Sequence, residues 1–138
     1  MHMKKIALLF GLLCCTFFFA QKSQNYVQVG YGSICCGTPS PDPVMSYLEK
    51  FAKKSKKKNF EVYIQRGLGR EGEYKLYIGI DSLSKSQQSN FIKGLESVVE
   101  TQNNQRNKSR DGHVSFDDQK VITKADLANS RNLTIYKK

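Results

Sequence analysis

Two runs of alternating apolar and polar residues, Phe60 to Gln65 and Tyr74 to Ile80, flank the glycine-rich stretch RGLGREGE. Successive side chains of a strand point to opposite faces. Phe60, Val62 and Ile64 therefore share one face of the first run, and Leu76, Ile78 and Ile80 share one face of the second. Glu61, Tyr63 and Gln65, with Lys75 and Tyr77, take the opposite face. Three glycines and several charges between the runs make a flexible hairpin connection. A hairpin with one apolar face needs a cover, and that need governs the reading of the rest of the chain.

The cover is found on both sides of the hairpin. Val44, Tyr47, Leu48, Phe51 and Ala52 recur at steps of three and four, an amphipathic helix running to about Lys54, with Pro43 near its start and Asp42 as its cap. Phe91, Ile92, Leu95, Val98 and Val99 mark a second helix over roughly 84–101, with Asp81 or Ser82 able to cap it. Upstream, Tyr26 to Gly30 alternates as a strand, with Val27 and Val29 on one face and Tyr26 and Gln28 on the other. The next stretch, GSICCGTPSPDP, holds three prolines and must be a loop. After Thr101 a polar stretch, QNNQRNKSRDGH, reads as linker. Beyond it lie two short strand candidates, HVSFD and NLTIYK, with TKADLANS between them as a turn of helix.

Strand, helix, strand, strand, helix, strand is the split βαβ order. The expected fold is α+β and ferredoxin-like, an antiparallel sheet with two helices on one face. Its other face is expected to stay open.

The N-terminus reads differently from the rest. MHMKK is basic, and residues 6–20 are an uncharged apolar run ending at Ala20. The run is shorter than the roughly 20 apolar residues that span a bilayer, so residues 1–20 read as a secretory signal peptide and not as an anchor. The expected organisation is a leader at 1–20, a core domain at 21–101, and a polar linker with sheet-completing strands at 102–138. The reading is of a periplasmic or secreted bacterial protein without a membrane span after cleavage. Two of the 22 basic residues, Lys4 and Lys5, belong to the leader, so the excess over 12 acidic residues persists once the leader is removed. Such an excess speaks to association with anionic surfaces and not to fold.

The outward residues of the three strands are Tyr26, Gln28, Glu61, Tyr63, Gln65, Lys75 and Tyr77. Tyrosines interleaved with amides and charges suit a ligand that offers flat apolar faces and hydrogen-bonding edges, as sugar rings do. Tyrosine also simply favours strands, and solvated faces are polar. The strand YVQVGYGS, the helix ending near KKKNFEVYIQ, and GEYKLYIGIDSLSKSQQSNFIKGLESV together resemble the SPOR domain, a peptidoglycan-binding domain of the bacterial envelope. The likeness covers residues 25–101, with Tyr26, Val27, Gln28, Val29 and Gly30 matching its first strand and Tyr74, Leu76, Ile78 and Gly79 its later one. The resemblance implies the same split βαβ fold and binding of peptide-stripped glycan strands across the open sheet face, by Gln28, Tyr63, Lys75 and Tyr77.

Cys35 and Cys36 carry the alternative. Adjacent cysteines in an exported protein tend to be oxidised or metal-bound. A disulfide stiffening the proline-rich loop, pairing between two chains, and a soft-metal site are all open, with the disulfide preferred to the metal. A thiol nucleophile would need a base, and beyond the leader His113 is the only histidine. The glycines of GLGREG lie in a hairpin and not before a helix, so they are no nucleotide fingerprint. No cofactor and no catalytic residue is expected. Lys50, Lys53, Lys54, Lys56, Lys57 and Lys58 cluster at the end of the first helix. There they complement the helix dipole and offer a patch for an anionic envelope polymer. Export argues against a nucleic-acid partner.

Overall fold

The computed structural model describes residues 23–137, and the expected leader lies outside the described residues. The elements are β1 (Asn25–Tyr31), α1 (Asp42–Lys54), β2 (Val62–Gln65), β3 (Tyr74–Gly79), α2 (Lys85–Gln105), β4 (Val114–Thr123), α3 (Lys124–Ala128) and β5 (Leu133–Ile135). The five strands form one sheet in the order β4-β1-β3-β2-β5, and every neighbouring pair is antiparallel. The first four strands carry the ferredoxin-like arrangement. Both C-terminal strand candidates enter the sheet, β4 beside β1 and β5 beside β2.

Registry obeys the apolar alternation. Val27 and Val62 both lie opposite Ile78, and Val29 and Ile64 both lie opposite Leu76. This places two apolar rows under the helices, and a slip of one residue would turn every one of those side chains to the other face. Onto the rows pack Val44, Leu48 and Ala52 of α1 and Phe91, Leu95 and Val99 of α2, each set spaced by four on one helix face. Full burial of such a side chain contributes about 1.5–3 kcal/mol. Tyr31 and Tyr74, opposite each other in the sheet, stack with ring centroids 4.4 Å apart. Phe91 stacks on Phe60 and Tyr47 and meets Phe51 edge-on, closing the core between the helices.

The helix starts differ from the sequence reading. The residue before α1 is Pro41 and its first turn contains Asp42, whose amide donates to the Ser40 hydroxyl at 3.1 Å. Asp42 is therefore inside the helix and does not cap it. For α2 the cap is Ser84, in a reciprocal box with Gln87. Asp81 does not cap α2, because its carboxylate is taken by the backbone at the start of β1. Residues 102–105, read as linker, belong to α2. There Asn103 grips Val114 at both its amide and its carbonyl, at 2.9 and 2.7 Å, and so docks the helix end on β4.

The second face of the sheet is only partly open. α3 begins with a capping box between Thr123 and Asp126 and lays Leu127 over that face. Tyr26, Tyr77 and Leu127 form a second buried cluster, packed against Tyr63, Ile122 and Leu133. The expectation of an uncovered face fails because a five-residue helix between the last two strands is enough to shield part of a small sheet.

Candidate functional site

The hydrogen-bond registry of β1, β3 and β2 brings the four expected ligand-binding residues together. Gln28 lies opposite Tyr77, and Tyr77 lies opposite Tyr63, so the three form one row across the second face. Lys75 is two residues from Tyr77 on β3, on the same face, between Gly30 and Gln65. The residues share a face because the strand period is two, and they are neighbours because β3 is the strand between β1 and β2.

Their availability differs. Tyr77 is only 4 % exposed, and its hydroxyl donates to Gln65 Oε1 at 2.7 Å. Gln65 Nε2 in turn donates to the Arg131 carbonyl at 3.2 Å. Tyr26 is fully buried, and its hydroxyl is 2.6 Å from Glu61 Oε1 and 2.9 Å from the Ser23 carbonyl. Its ring meets Tyr63 edge-on at 5.9 Å. Burial raises the pKa of Tyr26, Tyr63 and Tyr77. For Tyr26 and Tyr63 the nearby Glu61 carboxylate adds to the rise. All three stay neutral donors at any physiological pH. Tyr77 thus belongs to the floor of the face and not to its exposed surface, a correction to the reading that set it outward and free.

Gln28, Tyr63 and Lys75 are half-buried. The side chains of Gln28 and Lys75 are engaged in no hydrogen bond or ion pair among the described residues. Gln28 also faces an irregularity that the sequence reading missed. Val29 pairs with Phe116 and Val27 with Val121, so Asp117, Asp118, Gln119 and Lys120 bulge out of β4 opposite Gln28. The excursion is held by its own bonds, from the Gln119 amide to Asp117 and from the Gln119 side chain to Asp118, each 3.0 Å. Its run of polar residues, DDQK, was the available signal.

Cys35 and Cys36 are bonded to each other. Both are exposed, in the loop that leaves β1, and Cys35 Sγ lies 3.6 Å from the Arg110 carbonyl oxygen. The Gly32 amide donates to the His113 carbonyl at 3.0 Å, which holds the two loops side by side. No group of three or more His, Cys, Asp or Glu among the described residues is placed to hold a metal ion. The six clustered lysines are all exposed, and the ion pair of Arg110 with Asp111 lies elsewhere. No helix among the described residues is long and apolar enough to cross a membrane. No protein-family model, no curated protein and no solved structure matches the chain.

Proposed function

We propose that this protein is a non-catalytic binding module of the bacterial cell envelope, exported by the leader at residues 1–20, which takes peptidoglycan glycan on the uncovered part of the second sheet face. One observation carries the reading: Gln28 and Lys75 stand unengaged beside the Tyr63–Tyr77 row. A primary amide both donates to and accepts from a hydroxyl, and an ammonium donates to one. The half-exposed Tyr63 ring offers an apolar face beside them. Tyr77 holds Gln65 and keeps the floor of the site rigid. The contact residues are then Gln28, Tyr63 and Lys75, with Tyr77 in a positioning role.

The test is co-sedimentation of the protein with purified sacculi, intact and after amidase treatment. Retention should rise on the stripped glycan, fall severalfold in Gln28→Ala and Lys75→Ala, and be indifferent to Cys35→Ser/Cys36→Ser. Absence of retention on both preparations, or equal retention of all variants, would sink the proposal.

A second reading rests on the bonded and exposed Cys35–Cys36 pair, which an attacking thiolate reaches without unfolding the chain. In that reading the pair exchanges with a dithiol of another protein. The same exchange runs in reverse: the remaining thiol of either single Cys→Ser variant attacks the disulfide form of that protein, releases one of its thiols and leaves a mixed disulfide. Trapping of that species supports the reading, and failure to trap removes it.

A further inference from the structure

Beside the disulfide lies a cleft that the sheet-face reading does not use. It has a volume of about 400 Å³, within the range of small-molecule sites. Three pieces of chain wall it: the loop from Cys36 to Ser40, the last turns of α2 with Gln102 and Arg106, and the loop from Arg110 to Gly112. It shares no lining residue with the row of Gln28, Tyr77 and Tyr63 or with Lys75.

The walls are fixed by hydrogen bonds that leave their cationic groups partly free. Gln102 Nε2 donates to the Ser40 carbonyl at 2.9 Å and ties α2 to the cysteine loop. Arg106 spends one donor, Nη1, on the Asp111 carbonyl at 2.9 Å. Arg110 gives Nε and Nη2 to the Asp111 carboxylate, at 2.7 and 3.3 Å. The guanidinium fork has five donors, so Arg106 keeps its Nε and Nη2, and Arg110 keeps its Nη1. Two guanidinium groups set against one carboxylate and the partial negative charge of the C-terminal end of α2 leave a small net positive charge at the cleft. That charge suits a monoanion, whereas a dianion such as phosphate also meets Asp111. A planar fork matches the two oxygens of a carboxylate. The other lining groups, Thr38, Ser40 and the backbone of Gly37 and Gly112, offer hydrogen bonds to hydroxyls. The disulfide restrains the loop that forms one lip, which lowers the ordering cost of binding.

We propose that the cleft between the Cys35–Cys36 loop and the C-terminal end of α2 is a binding site for a small hydroxylated carboxylate, held by Arg106 and Arg110. The ligand class spans free hydroxy acids and sugar acids, which share a carboxylate and neighbouring hydroxyls.

The experiment is a heteronuclear NMR titration of the protein with lactate, glucuronate, glucose and inorganic phosphate. Saturable shifts of the Gly37 and Gly112 amides and of the Arg106 and Arg110 Nε–H groups are expected with lactate, glucuronate or both. Preference for glucuronate assigns a sugar acid, and parity with lactate assigns the hydroxy-acid unit. Glucose should give no saturable shift, and phosphate should bind about tenfold more weakly. Arg110→Gln, a change at an exposed side chain, should lower carboxylate affinity about tenfold, while Lys75→Gln leaves it unchanged. The Cys35→Ser/Cys36→Ser variant should bind more weakly, and equal binding overturns the role given to the disulfide. Glucose matching glucuronate, shifts that never saturate, or affinity untouched in both Arg110→Gln and Arg106→Lys overturns the site itself. Because sacculus retention is read through Gln28 and Lys75, the two proposals fail separately.

Discussion

At the point where β3 has ended and β1 begins, the carboxylate of Asp81 accepts from the backbone amides of Gln24 and Asn25 and from the Asn25 side chain. Burial alone would push its pKa up, but these hydrogen bonds outweigh burial and hold it below the ordinary 3.8. A depressed folded-state pKa stabilises the fold above the unfolded value, and that contribution is lost as pH falls through the folded value. Asp81→Asn should therefore be less stable than the parent at pH 6, by about 1 kcal/mol given the exposure of the site. The gap should close as pH falls below 3.8. Urea midpoints at a series of pH values measure it, and a gap that is constant with pH refutes the assignment. Lys56 makes a second prediction at this scale. It comes directly after the Ser55 cap of α1 with φ of 52°, and the bonds from Lys56 N to Lys53 O and Lys57 N to Ala52 O close the helix in a Schellman pattern. A side chain there costs about 1 kcal/mol that glycine avoids. Lys56→Gly should raise the urea midpoint, since glycine's larger unfolded-state entropy offsets only part of that gain.

Among the elements, α3 has the largest effect on the candidate site for its size. Leu127 is 4 % exposed, against Tyr26 and Tyr77. Leu127→Ala should cost about 2 kcal/mol, the low end for a buried leucine, because the cluster lies at the margin of the molecule and can relax. It should also loosen Tyr77, visible as faster hydrogen exchange at β3; unchanged exchange would show that α3 is not what holds the face. This element also marks the limit of what the sequence makes legible. The two main helices announce themselves by apolar spacing over three turns or more, and the three inner strands by period two. The turn of helix expected at TKADLANS is there, but with a single buried apolar position, Leu127, it has no period from which the face it covers can be read. Its sign was the Thr123–Asp126 capping box ahead of that leucine. Likewise the grouping of Gln28, Tyr63, Lys75 and Tyr77 on one face comes from alternation. The burial of Tyr77 depends on Leu127 and Leu133, roughly fifty residues away in sequence, and no local pattern reports it. The cleft at Arg106 and Arg110 was hidden for the same reason: it is made by three segments that meet only in the fold.

At the scale of the whole molecule, the excess of basic over acidic residues and the exposed lysines at the end of α1 offer the proposed envelope ligand a second point of attachment, one that owes nothing to the sheet face. Salt separates the two. The Debye length is about 10 Å at 0.1 M salt and about 3 Å at 1 M, so attraction between an exposed lysine patch and a polyanion is largely screened over that range. Hydrogen bonds and ring contacts at a half-buried face are screened much less. If the sheet face supplies the affinity, retention on amidase-treated sacculi should persist across that range and be nearly unmoved by Lys53→Glu/Lys57→Glu. If the lysines supply it, retention should collapse with salt and with the charge reversal, while Gln28→Ala changes nothing. Both sets of residues are exposed or half-exposed, so neither variant removes core packing, and differences in retention report binding and not unfolding. Retention that resists salt and is lost in Gln28→Ala would place the contact on β1 and β3. Sensitivity to salt with indifference to Gln28 would move it to the end of α1 and make the ligand an anionic polymer.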